Sequence, residues 1–221
     1  MKGLLISGGT KVSEKTLLEN IDDRYIIVAD GGIKNLIGTD IIPNEVLGDF
    51  DSIDDAGREF IEINNIKIKK YPTKKDFTDT ELCLEVLLEK GADDIVILAA
   101  TGTRLDHMFS SMFLLERLKK ENVVGRFIDD HNEARFISNE EVEIPKNNYK
   151  YFSIVPVSKE VTLSIKGAHY DVEDFKFNRY TIRATSNQIK DDAAKIKIDG
   201  EGFLILSKDW FWFKLFSSSL S

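Results

Sequence analysis

Aspartates and glycines gather where short apolar runs of this sequence end, and their types and spacing suit the binding of phosphates and a divalent cation. Gly8-Gly9 follows the first run, Asp30-Gly31-Gly32 the second, and Asp49 with Asp51 the third. Asp76, Thr78 and Asp79 follow the fourth, and Thr101-Gly102-Thr103-Arg104-Leu105-Asp106-His107 the fifth. Asp49 and Asp51 flank one residue, so in a loop both carboxylates can turn toward one ion. Several carboxylates brought together repel strongly unless a hard cation neutralises them. Magnesium suits such a set, with its oxygen ligands, retained waters and bridging to phosphates. Glycines let a backbone approach phosphates closely, and Arg104 would add a two-pronged clamp from the opposite side. Each signal alone also has a plainer reading as a turn or a cap; the information lies in their shared placement.

That placement follows from the elements that carry them. The segments 2–6, 25–28, 45–47, 66–70, 95–100 and 123–128 read as strands, and 95–100 is apolar throughout, as a buried parallel strand should be. Between them 13–19, a stretch reaching Ile37, 52–63, 78–90 and a stretch from after Leu105 to Glu121 read as helices. Ser52 with Asp55 is the expected N-cap of one, and Thr78-Asp79-Thr80-Glu81 matches a capping box for another. Strands alternating with helices predict an α/β fold, a mainly parallel sheet with helices on both faces. Ligands bind beyond the carboxyl ends of such strands, which puts every segment named above on one rim.

After residue 137 the helical periodicity stops. Short β-type runs at 142–144, 151–155, 161–165, 180–184, 194–198 and 203–206 are separated by turn signals such as Pro145-Lys146-Asn147 and Asp199-Gly200. They predict a C-terminal all-β sandwich domain. The expected organisation is an α/β domain over 1–137 and a β domain over 138–221.

Composition bounds the function classes. The chain has 221 residues, with 38 acidic against 30 basic side chains, for a net charge of −8. That balance argues against a general nucleic-acid binder, which carries a basic face, but not against a phosphate-bearing substrate bridged by a cation. The apolar run 95–100 is far short of a membrane span, and the N-terminus lacks the pattern of a signal peptide. The single cysteine, Cys83, fits a reducing cytoplasm and falls in a core pattern. His131 and His169 have no partners at zinc-ligand spacing.

These motifs, in this order, resemble the thiamine pyrophosphokinase family. The resemblance is carried by Ala29-Asp30-Gly31-Gly32, Gly48-Asp49-Phe50-Asp51-Ser52, Lys75-Asp76-Phe77-Thr78-Asp79 and the 101–107 segment, then by Gly167-Ala168-His169-Tyr170 and Thr185-Ser186-Asn187. It implies an enzyme that transfers the pyrophosphoryl group of ATP to thiamine, giving thiamine diphosphate and AMP. It also implies a homodimer with sites at the subunit boundary. On this resemblance Asp49, Asp51 and Asp79 hold Mg2+, with Asp30 close by. Gly8, Gly9, Asp30, Gly31, Gly32, Asp76, Thr78, Thr101, Gly102, Arg104, Asp106 and His107 line the nucleotide and phosphate site. Ser186 and Asn187 approach thiamine, and Trp210, in the aromatic tail, is a candidate stacking residue.

Two other classes fit parts of the same pattern. Asp49 and Asp51 after a strand also look like the nucleophile loop of a haloacid-dehalogenase-like phosphatase, with Asp129-Asp130 as the downstream acids. A non-catalytic nucleotide or thiamine sensor on the same scaffold is the other.

Overall fold

The structure is a computed structural model that describes residues 1–71, 77–102 and 104–209. The chain divides into two compact units, Met1–Asp130 and His131–Ser221. The division falls before the expected 137/138 boundary, so the strand Asn132–Ser138 belongs to the second unit.

The first unit is the α/β part. Its strands are β1 (Lys2–Ile6), β2 (Arg24–Ala29), β3 (Glu45–Gly48), β4 (Lys67–Lys70), β5 (Asp94–Leu98) and β6 (Val124–Ile128). They lie in the order β4-β3-β2-β1-β5-β6, and every pair is parallel. Leu4, Leu5 and Ile6 of β1 and Ile95 to Leu98 of β5 are fully buried, which requires cover on both faces of the sheet and explains the unbroken apolar runs. From β1 the chain steps outward to β4, then returns to the other side of β1 as β5. The reversal between β1 and β5 is the point at which such sheets open a crevice.

The helices are α1 (Glu14–Leu18), α2 (Asp55–Ile63), α3 (Asp79–Glu89) and α4 (Leu105–Lys120). Ser13 caps α1 and Thr78 caps α3, each side chain accepting a backbone N–H from the first turn. For α2 the cap is Asp54, accepting from Gly57 N, and not Ser52. The expected helix reaching Ile37 is a short 3-10 helix, Asp30–Asn35. Its glycines favour no long helix, and a Cβ at Gly32 would stand 2.6 Å from the Ile6 carbonyl oxygen.

Far from the strand ends that carry the motifs, Glu45 begins β3 with 2 % exposure. It accepts from Tyr25 Oη at 2.7 Å and Lys67 Nζ at 2.9 Å and pairs with Lys90 Nζ at 3.2 Å. Burial alone would raise this carboxyl; the bonds from Lys67, Tyr25 and Lys90 outweigh it and hold it at about 2.

The second unit is all β. One antiparallel sheet has the order β7-β13-β9, from Asn132–Ser138, Glu201–Ser207 and Tyr151–Pro156. The other has β11-β10-β12-β8, from Val172–Asn178, Glu160–Lys166, Ala193–Asp199 and Glu141–Pro145. Phe152, Ile154, Leu204 and Leu206 of the first sheet share a core with Val161, Leu163, Ile196 and Ile198 of the second, which makes a sandwich. The expected strand at 180–184 is not one. Tyr180 and Ile182 are 71 % and 87 % exposed, while β11 lies just upstream. There Phe175 and Phe177 alternate with polar residues and pack into the core, opposite Leu163 and Val161.

Candidate functional site

The loops that leave β1 and β5 are joined by backbone hydrogen bonds. Gly9 N donates to Ala99 O at 2.7 Å and Thr10 N to Thr101 O at 2.5 Å. A side chain at Gly9 would collide with those same two carbonyls. Gly9 and Gly32 are therefore glycines of close backbone approach. Gly8, Gly31 and Gly102 have only ordinary contacts and line a cavity of about 500 Å3 in the β1/β5 crevice. Asp30, Lys34, Ser52, Thr78, Asp79, Thr101, Arg104 and His107 also face it. The volume is that of a small-molecule site.

Asp30, Asp49 and Asp79 come together from the ends of β2 and β3 and the start of α3. Each offers a carboxylate oxygen within 4.8 Å of the others. Asp30 is 5 % exposed and its backbone is left-handed, φ 29. Its Oδ2 receives Ser52 N at 3.4 Å, while its Oδ1 is buried with no hydrogen-bond partner. Burial pushes the Asp30 carboxyl up; the bonds from Ser52 offset this in part, and Asp79 and Asp49 add to the rise. An orphaned carboxylate oxygen beside two further carboxylates is the donor set a hard cation needs.

The expected trio Asp49, Asp51 and Asp79 is thus not the one that gathers here. Asp51 is exposed, and its carboxylate accepts the Ser52 hydroxyl at 2.9 Å. Between the two aspartates Phe50 turns into the core with φ 69, so adjacency in a D-x-D pattern does not deliver both carboxylates to one point. Arg104 stands at the N-terminus of α4 with its guanidinium on Asp106, Nη2 to Oδ2 at 2.6 Å. That contact holds the Asp106 carboxyl below its ordinary value. Arg104 and His107 line the cavity, while Asp106 and Gly32 do not. Asp76, Thr103 and Trp210 with the rest of the aromatic tail lie outside the described residues.

Sequence reasoning passed over Lys34, Ser7 and Thr80. Ser7 and Thr80 share a hydroxyl hydrogen bond of 2.7 Å on the cavity wall. Lys34 follows Gly31 by three residues, the repeat of a 3-10 helix, and that spacing would have placed both on one side.

In the second unit Ser186 has a left-handed backbone, φ 59, and its N–H donates to Ser153 Oγ. Asn187 is buried. Its Oδ1 accepts Tyr170 N at 3.1 Å and its Nδ2 donates to Tyr170 O at 2.9 Å. Asn187 thus ties the 185–187 segment to the 167–170 segment and leaves Tyr170 exposed beside them.

Fold and site together define a parallel α/β unit with an acidic strand-end cavity, followed by a β-sandwich. The description "Thiamin pyrophosphokinase, catalytic domain" matches residues 17–124, and "Thiamin pyrophosphokinase, vitamin B1 binding domain" matches 139–201. The chain is 32 % identical over 188 residues to the thiamine pyrophosphokinase of Bacillus subtilis, covering 84 % of this chain and 88 % of that protein. The crystal structure of thiamine pyrophosphokinase from Bacillus subtilis superposes with TM-score 0.87 at 28 % identity, covering 95 % of this chain and all of that one. A thiamin pyrophosphokinase family protein from Enterococcus faecalis gives 0.80 at 25 % identity over 95 % of this chain and 100 % of that one. The chain belongs to the thiamin pyrophosphokinase family.

Proposed function

We propose that this chain is a thiamine diphosphokinase that moves the pyrophosphoryl group of ATP onto thiamine, releasing AMP. The observation that carries the chemistry is the Asp30–Asp49–Asp79 group beside a glycine-lined cavity, in a chain whose relatives bear that enzyme's name. The thiamine hydroxyl oxygen attacks the β-phosphorus of ATP in line, the bond from β-phosphorus to the α,β-bridging oxygen breaks, and AMP leaves. Little covalent chemistry falls to the protein, and positioning with charge neutralisation dominates.

Asp30, Asp49 and Asp79 would hold Mg2+, which would supply neutralisation of phosphate charge. Asp51 joins them only if its side chain leaves Ser52. Gly8, Gly31 and Gly102 leave room for the phosphate chain, and Thr78 and Thr101 border it. Arg104 offers its guanidinium to the phosphates in exchange for Asp106. The hydroxyl proton goes to a carboxylate, with Asp30 and Asp76 as the two candidates; Asp30 can serve only through an oxygen that the cation leaves free. In the second unit Ser186, with its left-handed backbone, and the Asn187–Tyr170 tie belong to the segment proposed to contact thiamine, with Trp210 proposed to stack on that substrate.

A homodimer is proposed as the working form. The face of α4 that exposes Leu105, Phe109 and Phe113 at fourfold spacing supports it. Cytoplasmic localisation fits the lone buried thiol of Cys83; no helix among the described residues is long and apolar enough to cross a membrane. The phosphatase and sensor readings are not favoured. Asp130, which a phosphatase would use at its site, instead accepts the Ser13 and Thr16 hydroxyls at the start of α1. The test is AMP release that requires ATP, magnesium and thiamine together; release of free phosphate without thiamine would restore the phosphatase.

A further inference from the structure

We infer that Lys34 is a phosphate-chain receptor of this site, a role that rests on the proposed reading of the cavity as the seat of ATP. Three carboxylates meet at one side of the cavity, and the triphosphate of ATP is itself strongly anionic. One divalent cation does not neutralise both, so the cavity needs further positive groups aimed at phosphate oxygens.

The described lining offers three basic side chains, Lys34, Arg104 and His107. Two of them already face a carboxylate. Arg104 holds Asp106 with its Nε and Nη2, and His107 Nε2 stands 4.0 Å from the same Asp106. Lys34 differs. Among the described residues its ammonium makes no ion pair, and its one hydrogen bond runs from Nζ to the Gly8 carbonyl at 2.8 Å. An ammonium has three donors, so two remain for a ligand.

That single bond also fixes where the charge stands. The side chain leaves the 3-10 helix after β2 and is tethered to the loop after β1, beside the Gly8 and Gly31 backbones that border the cavity. The helix beneath it is tied to the same loop by a second side chain. Asn35, fully buried, accepts Val12 N at 3.1 Å and donates to Gly32 O at 2.9 Å, joining the same two segments from below. A lysine held by a neutral carbonyl keeps its full charge for an incoming anion, whereas Arg104 must first give up Asp106. Lys34 is therefore the cation ready for phosphate before substrate arrives, and Arg104 the one recruited by it.

The test is calorimetric titration of the full-length protein with magnesium ATP in the absence of thiamine, which reads binding whether or not turnover occurs. Lys34→Ala is expected to weaken ATP binding about tenfold, Lys34→Arg to recover most of it, and the thermal midpoint to stay unchanged. In steady state the KM for ATP should rise by more than kcat falls, with the KM for thiamine unaffected. Equal ATP affinity in Lys34→Ala and wild type would overturn the inference, as would a wild-type protein that binds no magnesium ATP. Tight, Lys34-dependent ATP binding without thiamine diphosphate formation would uphold Lys34 and remove only the reaction proposed above.

Discussion

Gly48 ends β3 directly against Asp30: a Cβ at Gly48 would lie 2.7 Å from the Asp30 Cβ. Both residues have left-handed backbone, with φ 152 at Gly48 and φ 29 at Asp30. The strand end carrying Asp49 is thus seated on the residue that carries the buried carboxylate. Gly48→Ala should shift Asp30 and strain its own backbone, lowering stability by about 1–3 kcal/mol. Turnover should fall by more than the loss of folded protein accounts for. Thermal unfolding and activity of the purified variant check both, and an active, fully stable Gly48→Ala protein contradicts the role assigned to this contact.

Asp30→Asn should separate function from stability. Burial raises the Asp30 carboxyl in the folded state, so at neutral pH its charge opposes folding. Removing that charge should raise the unfolding temperature in magnesium-free buffer, while activity falls by orders of magnitude. Added magnesium should stabilise the wild type by mass action and the variant far less. Melting curves with and without magnesium give the answer, and an equal magnesium shift in both proteins removes Asp30 from the cation site.

How much of this was legible beforehand differs by element. The parallel strands were, because Leu4 to Ile6 and Ile95 to Leu98 are buried on both faces and so read as unbroken apolar runs. The rim of aspartates followed from those strand ends. Which carboxylates meet did not, because Phe50 turns into the core and parts Asp49 from Asp51, while Asp30 arrives from another strand. In the second unit the β-rich run at 180–184 outweighed the weaker alternation of Phe175 and Phe177, although burial decides for the latter. Lys34 was missed because a lysine beside a Gly-Gly pair has no pattern of its own until the 3-10 turn sets its direction.

Glu45 sets an acid limit on the fold. Its carboxyl is held at about 2, from an ordinary 4.5. The stabilisation it provides is complete above the unfolded value and is lost as pH falls toward 2. At roughly 1.4 kcal/mol per pH unit of displacement, Glu45→Gln should cost about 3 kcal/mol at neutral pH. Denaturant unfolding of both proteins should show the gap narrowing between about pH 5 and pH 2. A gap that stays constant over that range would mean Glu45 acts by shape and not by charge.

Asn187→Leu leaves the Tyr170 N–H and carbonyl without their partners, at a cost of about 1–3 kcal/mol. The KM for thiamine should rise several-fold with the KM for ATP near wild type. A rise confined to ATP would show that the 185–187 segment serves the nucleotide.

In the proposed reaction the thiamine hydroxyl attacks the β-phosphorus of ATP beside Asp30, Asp49 and Asp79. The most direct measurement follows ATP labelled at the β-phosphate through a single turnover with thiamine and magnesium. The label should appear in thiamine diphosphate and the AMP should be unlabelled. Label retained in ADP, with thiamine monophosphate as the other product, would contradict that reaction.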